Sequence, residues 1–187
     1  AAERLSEVVT EAMQGLGMHG GCFSIQLEAL DEASISASGL DRIAFQVSAN
    51  PGQPLQALSR VASGGELSRI SLAIQVATAE VGRIPTLIFD EVDVGIGGGV
   101  AEIVGRLLRK LGDNRQILCV THLPQVAAQA QQQLRVSKSV EDQQTLTRVT
   151  PLNDAQRITE IARMLGGTEI TEITRAHARE MLKLDVQ

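Results

Sequence analysis

The chain has 187 residues, of which 43% are apolar, 21% charged and 2% aromatic, and its net charge is -5. This acidic balance, without Trp or Tyr, argues against a broad DNA-binding face and against aromatic platforms for single-stranded nucleic acid. No apolar run reaches the roughly 20 residues of a membrane span, and the amino terminus lacks a signal pattern. With its two cysteines, Cys22 and Cys119, far apart in sequence, we expect a reduced cytoplasmic protein with no membrane partner.

The amino-terminal part predicts a helix followed by a small antiparallel layer. Apolar residues recur at helical spacing over residues 1–16, where no N-cap residue precedes the pattern. Such a helix is typical of the end of a longer coiled-coil arm, although an ordinary amphipathic surface helix fits the periodicity equally well. Alternating residues then predict strands at 22–30 and 42–48.

From residue 63 the pattern becomes that of an α/β protein. Helices predicted at 66–81 and 100–111 alternate with strands predicted at 86–89 and 116–120. Both strands are nearly continuous apolar runs, which is typical of a parallel sheet that is buried on both faces. A strand, helix and strand of this length predict a right-handed crossover.

The end of the chain predicts a hairpin and two helices. Alternation at 133–138 and 145–150 flanks the polar residues 139–144, and helices are predicted at 154–165 and 172–184. The fold class is therefore α/β, a mainly parallel sheet flanked by helices, with small antiparallel strands and a helical stub at the amino end.

Charged and polar side chains follow both strands of the predicted parallel sheet. In PTLIFDEVDVGIGGG, residues 85–99, Asp90 and Glu91 end the first apolar run, and His122 follows the second. Because the carboxyl ends of parallel strands meet at one edge, these groups should be neighbours. Asp90 is suited to hold Mg²⁺, Glu91 to orient and deprotonate a water, and His122 to sense charge on a γ-phosphate. The plainer alternative is a solvated strand end before a turn.

A second motif opens the helix that precedes these strands. In ASGGELSRISLAIQ, residues 62–75, the pattern from Ser63 to Glu66 is a capping box. A capping box does not require Gly64 and Gly65, whereas an anion site does, because glycines let a phosphate approach the backbone N–H groups. Helix capping and phosphate binding are both open interpretations of this motif.

One part of a nucleotide site is missing from the sequence. No G-x-x-x-x-G-K-[ST] loop, which would cradle the phosphates beside the metal, occurs among the 187 residues. The acids therefore predict half of a site for a nucleotide and Mg²⁺, without the part that would hold the phosphates.

Taken in order, these motifs resemble those of ATP-binding-cassette ATPases. The stretches VASGGELSRISLAIQVA, LIFDEVDVGI and VTHLPQVAAQA most closely resemble the RecN family, SMC-like bacterial proteins of DNA double-strand-break repair. The likeness covers essentially the whole chain. It implies the carboxy-terminal lobe of an ABC/SMC-type P-loop NTPase head at residues 17–187, with residues 1–16 as the end of a coiled-coil arm.

The resemblance also implies roles for individual residues. Asp90 matches the Walker B magnesium residue, Glu91 the catalytic base, Asp93 the D-loop acid and His122 the switch histidine. The signature motif, which in the family binds the γ-phosphate of ATP held by the opposite subunit, is matched by four consecutive residues. They are Ser63, Gly64, Gly65 and Glu66.

Cofactors and partners follow from the same resemblance. It implies ATP and Mg²⁺, an amino-terminal lobe of the same protein that carries Walker A, a second ATPase head, and DNA bound through the full-length assembly in the bacterial cytoplasm. ATP would be hydrolysed to ADP and phosphate by the full-length protein, and this part of it alone should be inactive.

Two other hypotheses belong to different classes. The chain can be a nucleotide-independent module that binds protein or DNA on a degenerate ABC fold. It can also be a carboxylate metal enzyme, which would bind Mg²⁺ or Mn²⁺ tightly by itself.

Overall fold

The chain divides into two compact units, Ala1–Val120 and Thr121–Gln187. Each has its own helices, strands and buried residues. The computed structural model describes residues 1–31, 39–61, 63–78, 84–141, 144–167 and 169–183.

The first unit begins with a helix and an antiparallel sheet. Helix α1 spans Ala2–Gly15, and strands β1 (Cys22–Ala29), β2 (Asp41–Ser48) and β3 (Gln56–Ala57) pair in the order β1-β2-β3. Both predicted strands are confirmed, while the two-residue β3 is too short to show an alternation. A short 3-10 helix follows at Leu58–Arg60.

Hydroxyl groups of α1 cover the free edge of β1. The Phe23 N–H donates to Thr10 Oγ1 at 2.9 Å, and the Ile25 N–H donates to Ser6 Oγ at 3.1 Å. In an antiparallel pair only alternate residues bond to the neighbouring strand, and these two point their N–H groups the other way. The helix therefore satisfies donors that an edge strand would otherwise leave to solvent.

A helix, strand, helix and strand complete the first unit. They are α2 (Gly64–Ala77), β4 (Thr86–Phe89), α3 (Gly98–Leu111) and β5 (Gln116–Cys119), and β4 pairs in parallel with β5. The predicted α/β unit is confirmed. The predicted end of α2 at residue 81 lies outside the described residues.

The core of the first unit joins these layers. Helix α1 packs on both β1 and α2, and α2 also contacts α3. Apolar side chains from every layer are buried there, which follows from the helical and alternating patterns of the sequence. They include Val9, Met13, Leu16, Phe23, Val47, Ile70, Leu72, Phe89, Val92 and Val104.

The parallel sheet is smaller and more open than predicted. Of the seven described strands, only β4 and β5 are parallel, and the other five pair antiparallel. One face of the parallel pair carries Ile88, Leu118 and Val120, which are 70%, 42% and 62% exposed. The prediction of a sheet buried on both faces is therefore wrong for this face, because no described element packs over it.

The second unit contains a hairpin and three helices. The hairpin strands are β6 (Leu134–Glu141) and β7 (Gln144–Pro151), and the helices are α4 (Pro124–Ala127), α5 (Asp154–Gly166) and α6 (Glu172–Leu182). Pairing continues to the Glu141 and Gln144 register, so the predicted turn at 139–144 is too long. Polar residues can extend a hairpin whose faces are open to solvent. The predicted end of α6 at residue 184 lies outside the described residues.

Helices α5 and α6 form the core of the second unit. The buried residues there are Ala127, Ala128, Ile161, Ala162 and Ala178. Both helices begin with a capping box, which satisfies backbone donors of the first turn. None of the helices in the described ranges is long and apolar enough to cross a bilayer.

Candidate functional site

The acids predicted to act on a nucleotide follow β4 directly. We call residues 90–95, the turn between β4 and α3, the acidic loop. Asp90 and Glu91 are both exposed at its start, and the Glu91 N–H donates to Asp90 Oδ1 at 2.9 Å. Glu91 has a φ of 58°, in the left-handed region that non-glycine residues rarely adopt. Such backbone is common where a side chain must be held in a particular direction at a functional site.

Two consecutive residues of α2 hold the acidic loop by its carbonyl groups. Ser68 Oγ donates to the Asp90 carbonyl at 2.7 Å, and Arg69 Nη1 donates to the Val94 carbonyl at 2.6 Å. The Val94 N–H in turn donates to the Glu91 carbonyl at 3.2 Å, which closes the turn between them. The first two turns of α2 and the acidic loop are therefore directly linked.

The two glycines of α2 lie against this loop. A Cβ atom at Gly64 would overlap Glu91 Oε2, and one at Gly65 would lie 2.9 Å from the Val94 carbonyl oxygen. The Glu91 carboxylate thus lies at the amino end of α2, where the helix dipole favours negative charge. Close contact with the acidic loop explains why residues without a side chain occupy both positions. Phosphate binding by the same residues stays a prediction.

Ser63 is the N-cap of α2, as the sequence predicts. Its side chain accepts a hydrogen bond from the Glu66 N–H at 3.3 Å. A hydroxyl that accepts one hydrogen bond still has its own proton to donate. Capping and contact with an anion are therefore compatible for Ser63.

Asp93 is buried in the acidic loop, at 2% exposed. Burial, and then the negative charges of Asp93 and Asp90, together raise the pKa of the nearby Cys119 thiol to about 12. Cys119 therefore stays a protonated thiol at neutral pH. The two acids and this thiol share one end of the β4–β5 pair.

His122 lies in the second unit, two residues after the first unit ends, and is exposed. Its predicted place beside Asp90 and Glu91 stays a prediction. The structure does bring together Asp90, Glu91 and the first two turns of α2, which are separated by more than 20 residues of sequence.

Ser68 and Arg69 also belong to this site, although no sequence motif predicted a role for them. Arg69 is 7% exposed and lies on the buried face of α2, with Leu72 and Ala73. Burial lowers the pKa of Arg69, and the nearby Glu66 charge acts in the opposite direction. An arginine within an otherwise apolar helix face was the available signal, because a buried guanidinium needs a specific acceptor.

The chemistry of Asp90 fits a magnesium ion that arrives with phosphates. Mg²⁺ in nucleotide sites is held by one or two carboxylates, with waters and phosphate oxygens as the other ligands. Across the described ranges, no three His, Cys, Asp or Glu side chains gather as a metal-binding group. Asp90, an exposed carboxylate, is the kind of ligand that such a site takes from a protein.

Solved structures similar to this fold define its class. An SMC head domain with a coiled coil and joint, derived from Pyrococcus yayanosii, aligns with a TM-score of 0.60 and 20% identity over 85% of this chain and 28% of that one. A structure described as "Structural biochemistry of ATP-driven dimerization and DNA stimulated activation of SMC ATPases" aligns with a TM-score of 0.53 and 19% identity over 89% of this chain and 94% of that one. The chain has the fold of an SMC/ABC-type head lobe.

Curated relatives make the resemblance more specific. DNA repair protein RecN of Vibrio cholerae is 52% identical over 97% of this chain, and RecN of Haemophilus influenzae is 50% identical over 98% of it. The resemblance to RecN is therefore confirmed. The chain spans only 32% and 33% of the length of these two relatives. No family model matches the sequence.

Proposed function

We propose that this chain is the carboxy-terminal half of an ATP-hydrolysing, SMC-like head that acts in DNA double-strand-break repair and recombination. The main support is the direct connection between the first two turns of α2 and the acidic loop that carries Asp90 and Glu91. In this proposal the loop acts on the ATP of its own head. Residues 63–66, the signature motif, contact ATP held by a second head.

Each acid has a separate task in the proposed hydrolysis. Mg²⁺, when bound with ATP, would neutralise the charge that develops on the transferred phosphate. Asp90 would hold the metal, and Glu91 would orient a water and take its proton. Asp93 would support the loop from its buried position, and His122 would hydrogen-bond the γ-phosphate. The proposal requires phosphates to be delivered by a Walker A loop, which this sequence lacks.

The missing loop would come from an amino-terminal lobe of the same protein. The exposed face of the β4–β5 pair supports this partner, because Ile88 and Val120 are 70% and 62% exposed there. Parallel strands are normally covered on both faces. A further lobe that continued the sheet and packed over this face would bury these side chains. Helix α1 would be the end of the coiled-coil arm that joins the lobes.

The larger assembly is proposed from the relatives. The solved SMC ATPases mentioned above are described by ATP-driven dimerization and DNA-stimulated activation. We propose the same for the full-length protein here: two heads enclose two ATP molecules, and hydrolysis opens an assembly that holds DNA. Its place would be the bacterial cytoplasm, on the nucleoid.

The test is ATP turnover with Mg²⁺, measured for this chain alone and after addition of a purified amino-terminal lobe. We expect activity only in the mixture, and its loss in Glu91→Gln. Glu102→Gln is the matched control, because Glu102 is an exposed acid of α3 that pairs with Arg106 on the surface, where ion pairs contribute little.

Other outcomes favour the other classes of function. Turnover by the isolated chain that Glu91→Gln abolishes would refute the need for a second lobe. Silence in every mixture of well-folded lobes would favour a nucleotide-independent binding module. Tight Mg²⁺ or Mn²⁺ binding by the chain alone would favour a metal enzyme.

A further inference from the structure

We propose that Arg69 is a positioning residue for Glu91, acting through the backbone of the acidic loop. This inference rests on the proposed function, in which Glu91 is the base. Arg69 does not touch the reacting atoms in this account. It holds the turn that carries Glu91 at one fixed distance from α2.

Two neighbouring residues of α2 hold the acidic loop at two of its carbonyl groups. Ser68 binds the Asp90 carbonyl at 2.7 Å and Arg69 binds the Val94 carbonyl at 2.6 Å. The two anchors are neighbours on the same helix, and Glu91 lies between the two carbonyl groups that they bind. Any movement of Glu91 relative to α2 must therefore break or stretch one of these bonds.

The bond from Arg69 acts on Glu91 through a closed turn of the backbone. The Val94 N–H bonds to the Glu91 carbonyl at 3.2 Å, so residues 91–94 form a closed turn. A guanidinium bond to Val94 fixes the far end of that turn. Because Glu91 has a φ of 58°, its backbone is strained and can relax to another region when the turn is released.

Arg69 is a buried cation whose hydrogen bonding is incomplete. Its side chain is 7% exposed, and within the described residues its buried Nε has no hydrogen-bond partner. Burying a cation with one donor unsatisfied is unfavourable, and an apolar side chain would fill the same helix face at lower cost. A residue that filled space alone would not need a guanidinium, whereas a residue that holds a carbonyl does.

The link also joins two different nucleotide sites. In the proposed function, residues 63–66 contact the ATP of the second head, and the acidic loop serves the ATP of its own head. Arg69 lies one turn after residues 63–66 and holds the loop directly. The alignment of Glu91 should therefore depend on the helix that meets the opposite head.

The experiment uses the full-length protein, with ATP turnover measured over a range of ATP concentrations. Arg69→Met removes the donors and keeps an unbranched apolar side chain. We expect kcat to fall by about tenfold or more, since a misplacement of about 1 Å can reduce a rate about a hundredfold, while KM for ATP stays within about twofold. Arg69→Lys, which keeps the charge and N–H donors but loses the planar guanidinium, should recover part of kcat.

Controls separate positioning from folding. Arg106→Met removes an exposed arginine of α3 and should leave kcat, KM and the melting temperature unchanged. If the kcat of Arg69→Met equals that of the unsubstituted protein, the inference is overturned. It is also overturned if kcat falls in Arg69→Met and Arg69→Lys restores none of it.

A second variant decides the matter if Arg69→Met does not fold. Ser68→Ala removes the other anchor with a small change in volume, and a lower kcat at unchanged KM would support positioning of the loop. Unchanged kcat in Ser68→Ala would overturn it. Failure of the proposed function would look different: the unsubstituted protein would show no turnover that Glu91→Gln removes, and the inference would fall with it.

Discussion

Gly65→Ala tests the contact between α2 and the acidic loop without removing any hydrogen-bonding group. A Cβ at this position would lie 2.9 Å from the Val94 carbonyl oxygen, 3.1 Å from Val94 Cβ and 3.3 Å from Arg69 Nη1. The carbonyl is part of the backbone and is itself bonded to Arg69 at 2.6 Å. The loop must therefore shift away from the helix by a few tenths of an ångström.

The magnitude follows from comparison with Gly99→Ala. Gly65 and Gly99 are both the second residue of their helices, α2 and α3, and a Cβ at Gly99 would meet no atom within 4 Å. The gain in helix propensity and the loss of unfolded-state freedom should be similar at the two sites. The difference between the variants therefore isolates overpacking, at about 1–3 kcal/mol.

Thermal unfolding followed by circular dichroism measures this difference. For a domain of this size, about 1 kcal/mol changes the melting temperature by roughly 2–4 °C. Gly65→Ala should melt roughly 2–12 °C below Gly99→Ala, and Gly99→Ala should be at least as stable as the unsubstituted chain. Equal melting temperatures for the two variants would refute the close packing of α2 on the acidic loop.

Three further predictions concern the thiol, a helix cap and the second core. Because the pKa of Cys119 is raised to about 12, the contribution of this thiol to the free energy of unfolding is complete below pH 9 and is lost as pH rises toward 12. Iodoacetamide labelling followed by mass spectrometry should find Cys119 unreactive at pH 8, and rapid labelling of the folded chain would contradict this. Asn153→Ala removes the cap whose Oδ1 accepts from the Gln156 N–H at 2.9 Å, so urea denaturation should show a loss of about 1 kcal/mol, and an unchanged midpoint would argue against the cap. Ile161→Ala empties a fully buried position and should cost about 2–5 kcal/mol in the same assay, whereas a loss below about 1 kcal/mol would mean that the site collapses or is open to water.

The sequence was informative where a short local pattern identifies a structural feature. The apolar run that ends at Asp90 and Glu91 correctly predicted a strand that delivers acids at its carboxyl end, and Ser63 correctly predicted the start of α2. Local patterns decide such features because hydrophobic periodicity and caps depend on neighbours within one turn or one strand.

The sequence was less informative where contacts between distant segments determine the structure. The hydrogen bond from Arg69 to Val94 joins residues 25 apart, and nothing in the periodicity of α2 identifies that acceptor. The left-handed backbone of Glu91 is set by the closed turn and its anchors, not by the preference of glutamate. The exposed face of β4 and β5 was not predicted, because the sequence of an apolar strand is the same whether the element that packs over it lies in this chain or in another.

The hydroxyl groups that cover the edge of β1 also limit how the sheet can grow. Four residues of helix advance about 6.0 Å and two residues of strand about 6.8 Å, so the spacing of Ser6 and Thr10 nearly matches that of Ile25 and Phe23. Helix α1 thus takes the place of a neighbouring strand over this one pair of hydrogen bonds. The match would not extend further, because the helix and strand advances differ and the difference adds up with each further pair. A strand from another molecule cannot pair with this part of the β1 edge until α1 is displaced, so the helix protects the sheet against edge-to-edge aggregation.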